Sequence, residues 1–228
     1  MKKPVVDYRE FRFSRLNTPQ FAHMKLAIFS WLFYFSFYFL TENLIPADIC
    51  HPVRCALDDM IPFCEYFAVF YVFWYLLVFG SLIYTLLYDI ESFTRLSRFI
   101  FITQLVAMTI YILFPSRQDL RPEIFLRDNF LTRLMAFIYS FDTSTGVCPS
   151  LHVAYSMGIL SVALKKKDLG AVRKWLLGIL VVMICMATTF VKQHSVLDVL
   201  AALPVSLAAE LLVYWNDYWK PRFLKKIE

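Results

Sequence analysis

Two short segments of this chain carry histidines at a spacing that suits nucleophilic and acid–base chemistry. His152 ends the string Cys-Pro-Ser-Leu-His, and His194 lies in Lys-Gln-His-Ser-Val-Leu-Asp, which ends at Asp198. Residues four apart lie on one helical face, so the Asp198 carboxylate can accept a hydrogen bond from the His194 ring. That bond fixes the tautomer and leaves the other ring nitrogen as a nucleophile. We therefore predict that His194 attacks a phosphorus centre and that Asp198 orients it.

His152 is predicted to act as the acid and base of the same reaction. An imidazole on the far side of a bound phosphoryl group can protonate a departing alkoxide and later take a proton from water or an alcohol. Pro149 and Ser150 are typical of the opening turn of a helix, where Ser can cap and free backbone N–H groups point at an anion. Ser150 is thus a predicted phosphate ligand. The cations available for the non-bridging oxygens are Arg117, Arg121 and Lys192. The predicted site uses no metal and no other cofactor.

These residues must be positioned by helices that cross a membrane. The chain has 228 residues, of which 59% are hydrophobic and 18% charged, and its mean hydropathy of +0.57 is far from that of a soluble domain. The composition and its apolar segments predict an all-α integral membrane bundle of six transmembrane helices. The predicted segments are Phe21–Leu40, Pro62–Tyr84, Phe99–Phe114, Val147–Leu164, Trp175–Val191 and Ser195–Trp215. The third and fifth are short, so we expect interfacial residues to complete them.

The distribution of basic residues predicts the orientation of this bundle. Of the 23 Lys and Arg residues, 17 fall on one side of the predicted membrane. The other six are Arg54, Arg117, Arg121, Arg127, Arg133 and Lys192. By the positive-inside rule the side with 17 is cytoplasmic and holds both termini. His152 and His194 then face outward, because the segments between them descend and return through a basic turn at 165–167. We expect a protein of the cell membrane with its site on the outer face.

The remaining segments are predicted to be loops, one interfacial helix and two terminal stretches. Within residues 115–146, apolar residues alternate with charged ones in an amphipathic pattern, which predicts a helix in the outer interface before the fourth membrane segment. The first outer loop, residues 41–61, is interpreted as a solvated acidic loop. We divide the chain into a cytoplasmic N-terminal segment (1–20), one membrane domain (21–216) and a basic cytoplasmic tail (217–228).

The motifs resemble those of the type 2 phosphatidic acid phosphatase superfamily of membrane lipid phosphatases and lipid phosphotransferases. The family pattern is Lys, six residues, Arg-Pro; then Pro-Ser-X-His; then Ser-Arg, five residues, His, three residues, Asp. This chain has Arg121-Pro122 in the first part and Pro149-Ser150-Leu151-His152 as the second, and it retains both His194 and Asp198 in the third. The resemblance covers about residues 62–215.

The resemblance implies a role for each matching residue. His194 would form the phosphohistidine, Asp198 would orient it, and His152 would be the acid and base. Ser150 and Arg121 would bind phosphate.

Two cations of the family pattern are replaced in this chain. Phe114 occupies the position of the first-motif Lys, and Ala187-Thr188 stands where the third motif has Ser-Arg. Arg117 and Lys192 are the predicted substitutes. A histidine–histidine–aspartate core without the third-motif Arg is also similar to the inositol phosphorylceramide and sphingomyelin synthase branch, which transfers a phosphoryl headgroup to a lipid alcohol. Hydrolysis and transfer share one phosphoenzyme, so the motif residues leave the acceptor open.

The predicted function is hydrolysis of a lipid phosphate or polyprenyl diphosphate. The expected partners are that substrate and membrane lipids, without nucleic acid, because the basic residues lie at the ends of apolar segments rather than on one amphipathic face. The alternatives are transfer to an alcohol and, in another class, a non-catalytic lipid-binding or transport relative. A transporter predicts ionisable groups near the midplane and often repeated halves. Glu210 lies deep in the last segment, and we expect it to make a structural hydrogen bond.

Overall fold

The computed structural model describes residues 3–224, with the side chain of Glu42 left out, and this part of the chain is mostly helical with almost no strand. The helices are α1 (Met24–Leu44), α2 (Ala56–Met60), α3 (Ala68–Tyr88), α4 (Ile90–Leu113), α5 (Phe130–Phe141), α6 (Leu151–Lys165), α7 (Ala171–Phe190), α8 (Val196–Tyr214) and α9 (Lys220–Leu224). A π-helical turn, Trp215–Trp219, joins α8 to α9. Three basic residues counted on the cytoplasmic side, Lys2, Lys225 and Lys226, lie outside the described residues.

Within residues 3–224, five helical stretches are long and apolar enough to cross a membrane. They are Met24–Thr41, Glu65–Tyr88, Ile90–Leu113, Ala171–Phe190 and Val196–Leu224. Their outer surfaces expose large apolar side chains such as Leu32, Leu76 and Leu212, which lipid accommodates and water does not. The predicted helical architecture is therefore confirmed, and the length and composition of these helices indicate a membrane protein. The predicted fourth segment contains α6, which has only 15 residues, fewer than the roughly 20 that a helix needs to span a bilayer.

The helix that contains the third predicted segment extends beyond the apolar residues of that segment. Helix α4 begins at Ile90 and runs for 24 residues, and Asp89 caps it by accepting hydrogen bonds from the Ser92 backbone N–H at 3.0 Å and the Ser92 hydroxyl at 2.7 Å. The expectation that flanking residues complete this short apolar segment is therefore confirmed, because the charged residues of the first turns interrupt the hydropathy pattern without interrupting the helix.

Helix α6 lies at the centre of the bundle, where α3, α4, α7 and α8 all pack against it. Gly158 allows the close approach of α4, because a Cβ at this position would lie 2.6 Å from a ring carbon of Phe99. His152 lies in the first turn of α6. The most enclosed helix of the bundle thus carries one of the predicted catalytic residues.

The loops beside the first turns of α6 and α8 form one layer. Strands β1 (His51–Pro52) and β2 (Ser116–Arg117) pair in parallel and join the loop of residues 41–61 to the segment after α4. The short helix α2 follows β1, and its Asp58 is only 2% exposed. The interpretation of residues 41–61 as a solvated loop was therefore wrong for this carboxylate, which faces the start of α8.

Candidate active site

The start of α8 brings His194 and Asp198 together as their spacing predicts. Nδ1 of His194 is 3.1 Å from Oδ2 of Asp198, whose side chain is fully buried. Ser195 is the N-cap residue of α8; its backbone N–H donates to the same Oδ2 at 2.9 Å, and its hydroxyl accepts from the Leu197 N–H at 3.1 Å. Asp198 therefore closes this capping box and holds the imidazole at the same time. With a carboxylate on Nδ1, the lone pair of His194 lies on Nε2.

His152 contacts His194 directly. Nε2 of His194 is 3.3 Å from Nδ1 of His152, and the ring planes cross at 66°. When the Nδ1 proton of His194 points at Asp198, the Nε2 lone pair accepts the Nδ1 proton of His152. The His152 ring packs on Trp74 and Tyr71, with centroids 4.1 and 4.6 Å away. The structure thus brings the two histidines together, so closely that a phosphoryl group fits between them only after the rings separate.

Ser150 lies directly before α6 and is fully buried. Its backbone N–H donates to the Asp198 carbonyl at 3.1 Å, and its hydroxyl makes no capping bond to α6. The predicted helix start is confirmed, since Ser150 is the N-cap residue of α6, but the predicted cap by its hydroxyl is wrong. The Ser150 backbone N–H joins α6 to α8. The Ser150 hydroxyl has no hydrogen-bond partner among the described residues. Its role as a phosphate ligand stays a prediction.

Asp58 is a part of the site that sequence reasoning missed. Its carboxylate accepts hydrogen bonds from the Ser195 hydroxyl at 2.6 Å, the Val196 N–H at 2.8 Å and the Cys55 N–H at 2.8 Å. Burial alone would raise the pKa of Asp58, but these hydrogen bonds outweigh burial and hold the pKa below its ordinary value. A charged carboxylate also suits the positive N-terminal end of α8. Asp58 therefore sets where α8 begins, immediately after His194.

Gln193 ties the backbone before His194 to α3 and α5. Its amide nitrogen donates to Oδ2 of Asp142 at 2.9 Å and to the Tyr71 hydroxyl at 3.3 Å, and its Oε1 accepts from Arg121 at 2.5 Å. The Tyr71 hydroxyl donates to the same Asp142 oxygen at 2.7 Å. Sequence reasoning missed both Gln193 and Asp142. The one available signal was the position of Gln193 beside His194.

Arg121 is the predicted cation that the structure places in this network. Its Nη2 donates to the backbone carbonyls of Asp142 at 2.6 Å and Thr143 at 2.7 Å, in addition to Gln193, and its guanidinium lies 4.4 Å from the Tyr139 ring centroid. Burial lowers the pKa of Arg121, which remains charged at neutral pH. These donors serve protein acceptors, so phosphate binding by Arg121 stays a prediction.

The structure does not bring Arg117 and Lys192 into the wall of the cavity that contains the histidines. Arg117 donates to both carboxylate oxygens of Asp119 at 3.1 Å and to the Ala47 carbonyl at 2.7 Å. The Lys192 ammonium is buried and donates to the backbone carbonyls of Asp58, at 2.8 Å, and Ile61. Burial lowers the pKa of Lys192. The donors of each cation thus bind protein acceptors.

Thr188 and Phe114, which stand at positions where the family pattern has cations, make different contacts in this structure. The Thr188 carbonyl accepts the backbone N–H groups of Gln193 and His194, both at 3.0 Å. Phe114, at the end of α4, is 67% exposed. Thr188 therefore positions the backbone of His194.

A cavity of about 320 Å³ lies beside the histidines. Aromatic side chains from α1, α3, α4, α5 and α6 form most of its wall. Its polar part consists of His152, His194, Gln193, Asp142, Thr143 and Thr145. Among residues 3–224, no Lys or Arg lines this cavity. An aromatic cavity with a few convergent polar groups is typical of a ligand site.

Glu210 lies far from this cavity and makes the structural contacts that its depth predicts. It accepts hydrogen bonds from the Ser161 hydroxyl at 2.5 Å and the Trp219 indole at 2.9 Å, and it pairs with Lys165 at 2.5 Å. The expected structural hydrogen bond is confirmed.

The chemical capacity of the site lies in the series Asp198, His194 and His152. A carboxylate-held imidazole with a lone pair on its second nitrogen is a nucleophile or base, and an adjacent imidazole can give or take a proton. Within the described part of the chain, no group of three or more His, Cys, Asp or Glu side chains is arranged to hold a metal ion.

Comparison of the chain with protein-family models, curated proteins and solved structures gives no match.

Proposed function

We propose that this chain is a membrane lipid phosphate phosphohydrolase that works through a phosphohistidine at His194. One observation carries the proposal: the carboxylate of Asp198 and the ring of His152 lie within 3.1 and 3.3 Å of the two nitrogens of His194. An orienting group, a nucleophile and a proton donor are thus in series. The resemblance of these motifs to the type 2 phosphatidic acid phosphatase superfamily supports the same function.

In the proposed first step, Nε2 of His194 attacks the phosphorus of the lipid phosphate. An N–P bond forms while the P–O bond to the lipid breaks, and the imidazolium form of His152 gives its Nδ1 proton to the departing alkoxide. Asp198 stabilises the positive charge on the His194 ring. Because the two rings are in contact, the substrate must displace that contact before attack.

In the second step, water releases the phosphate. Neutral His152 takes a proton from the water at Nδ1 while the water oxygen bonds to phosphorus, and the electron pair of the N–P bond returns to His194. One water is consumed, and one lipid alcohol and one inorganic phosphate are produced. The cycle ends with both histidines in their initial protonation states.

We place this site at the outer face of a six-span bundle in the cell membrane, with cytoplasmic termini. The charge distribution supports the orientation. Helix α6 can serve as the sixth span although it is short. Other helices surround it, so its ends contact protein rather than lipid. Helix α5 exposes Phe130 and Phe137 while burying Met135 and Ile138, a pattern suited to the outer interface.

Thiol labelling tests this orientation. In a chain whose native cysteines are replaced, a membrane-impermeant reagent applied outside intact cells should label Asp119→Cys and not Asp168→Cys, both of which lie in exposed loops. Labelling of the second position alone would overturn the orientation.

The chemistry is tested with purified protein and a panel of ³²P-labelled lipid phosphates and polyprenyl diphosphates. The unaltered protein should release phosphate and carry an acid-labile label when turnover is quenched. His194→Ala should lose at least about 10³-fold in rate and carry no label. His51→Ala is the matched control, because this histidine is exposed in β1. Full activity of His194→Ala would overturn the mechanism.

The charge of the cavity favours headgroup transfer as a second candidate. The cavity wall contains the Asp142 carboxylate and, among the described residues, no Lys or Arg. A phosphate monoester carries a charge of about −1.5 to −2 at pH 7, whereas a phosphodiester carries only one negative charge and needs fewer cations. His194 would then attack a phosphodiester lipid, and an alcohol would take the place of water. Incubation with a phospholipid donor and ceramide or diacylglycerol should yield a new headgroup-bearing lipid, and phosphate release without such a product would reject transfer.

A further inference from the structure

The cavity beside the histidines extends away from them between α1 and α3. On α3 its wall runs from Tyr71, which packs on His152, to Phe79, eight residues and about 12 Å further along the helix. The polar groups lie at the Tyr71 end. The distant end is lined by Val78, Phe79 and, from α1, Trp31. The cavity therefore has a polar head and an apolar extension.

This extension opens sideways. Helices α1 and α3 each pack along α4 rather than along one another, and a stack of Trp31 on Phe79 bridges them, with ring centroids 5.7 Å apart. Phe35 and Phe79 line the cavity from the two helices, yet they are 57% and 48% exposed. Both belong to stretches apolar enough to cross a membrane, so this exposure faces hydrocarbon.

A second apolar groove continues beyond Trp31. It shares Trp31 and Phe35 with the cavity and is otherwise lined by aliphatic and phenyl side chains, including Ala27, Leu86 and Phe93. No charged side chain of the described residues lines it. Trp31 thus stands between two apolar spaces on the same side of the bundle.

We propose that the cleft between α1 and α3 binds the hydrocarbon chain of the lipid substrate, which reaches the histidines sideways from the bilayer, and that the Trp31–Phe79 stack limits the chain length accepted. The identity of the headgroup rests on the proposed function, but the chain site does not. The distance of about 12 Å along α3 from Tyr71 to Phe79 is close to the depth of one leaflet, about half of the 30 Å hydrocarbon core. A lipid with its phosphate at His194 would therefore place its chain in this cleft.

Substitutions in the cleft test the proposal through chain-length preference. Val78→Trp should fill the extension, because Val78 is buried in its wall. The ratio of activity on long-chain to short-chain lipid phosphate should fall at least tenfold. Trp31→Ala should join the two spaces and shift the preference toward longer chains. Leu76→Trp is the matched control, since Leu76 is 64% exposed on α3 and lines neither space. Equal ratios in Val78→Trp and Leu76→Trp would overturn the proposal.

A binding measurement separates this proposal from the proposed function. The protein in lipid nanodiscs is photolabelled with phosphatidic acid that carries a diazirine near the end of its chain. Saturable labelling of peptides from α1 and α3, competed by unlabelled phosphatidic acid and weakened in Val78→Trp, supports the chain site even if no lipid phosphate is hydrolysed, a result that would overturn only the proposed function. Labelling that is spread over all helices and does not saturate would overturn the chain site, whatever the turnover.

Discussion

Replacing Asp58 with alanine should destabilise the protein and disorganise the site together. The carboxylate is buried and accepts hydrogen bonds from the Ser195 hydroxyl and from the backbone N–H groups of Val196 and Cys55. The Ser195 and Val196 donors belong to the start of α8, directly after His194. Asp58→Ala would leave all three donors without this acceptor and would release the first turn that also holds Asp198.

The size of the effect follows from these three bonds. A hydrogen bond to a charged group contributes about 1.5–3 kcal/mol, which gives a gross loss of about 5–9 kcal/mol. Removing a buried charge also removes its desolvation cost, which is several kcal/mol. A net loss of about 2–4 kcal/mol remains, larger than the roughly 1 kcal/mol typical of a lost helix cap. At 1.4 kcal/mol for each factor of ten, the ratio of folded to unfolded protein falls about 30- to 700-fold.

Thermal unfolding in detergent measures this loss, with phosphate release per folded molecule as the second readout. Asp59→Ala is the matched control, because Asp59 lies in the same helix and forms an exposed pair with Arg54, worth no more than about 1 kcal/mol. The folded state holds the pKa of Asp58 below its ordinary value. The contribution of ionised Asp58 to the free energy of unfolding is therefore complete above about pH 4 and is lost as the pH falls further. Equal unfolding midpoints for Asp58→Ala and Asp59→Ala at neutral pH would refute the reasoning.

Three further substitutions have expected outcomes. Gln193→Leu should lower the free energy of unfolding by about 1–3 kcal/mol, because its buried partners lose hydrogen bonds. It should also slow phosphate release at least about tenfold, because the reacting groups are misplaced. Gly158→Ala places a methyl group 2.6 Å from a ring carbon of Phe99 and should lower the unfolding midpoint by the equivalent of about 1–3 kcal/mol. Glu210→Gln removes the charge opposite Lys165 and should lower stability, while phosphate release per folded molecule stays unchanged, since Glu210 lies about 18 Å along α8 from the site.

Each of these substitutions has a control within the chain. Gln20→Leu changes an exposed glutamine and should leave stability and phosphate release unchanged. The same result for Gln193→Leu would show that the hydrogen bonds of Gln193 do not support the site. Gly80→Ala adds a methyl group with nothing within 4 Å and should be neutral or stabilising; a Gly158→Ala variant of equal stability would contradict the close packing of α4 and α6. Adding Lys165→Met to Glu210→Gln should restore part of the stability if the two charges are coupled. Additive losses would contradict that coupling.

The parts of the site that could be predicted depend on local spacing or on the path of the chain. His194 and Asp198 meet because residues four apart share a helical face. His152 meets His194 because two segments of similar length separate them and return the chain to the same side. Both inferences use only helix geometry and membrane thickness.

The parts that could not be predicted depend on contacts between distant segments. Asp58 lies in a loop whose acidic composition is typical of solvated surface, and only the packing of α2 against the start of α8 buries it. Two predicted cations, in contrast, were expected in the site and lie outside it. Arg117 and Lys192 have the right charge and a suitable position in the chain, but nearby carbonyl and carboxylate oxygens accept their hydrogen bonds. Sequence alone does not show which acceptor a long side chain reaches.

The contact between the two imidazoles determines what a substrate must supply. In the proposed mechanism, the His194 nitrogen that attacks phosphorus must first leave Nδ1 of His152, which lies 3.3 Å away in a ring that packs on Trp74 and Tyr71. A lipid chain that moves from the bilayer into an apolar cleft gains no hydrophobic free energy, because both surroundings are hydrocarbon. The headgroup must therefore displace the contact. The contact is worth about 0.5–1.5 kcal/mol, whereas a hydrogen bond from a protonated histidine to a phosphate oxygen is worth about 1.5–3 kcal/mol. If the proposed function is correct, phosphate binding would free the Nε2 lone pair of His194, and the lipid chain would select the substrate.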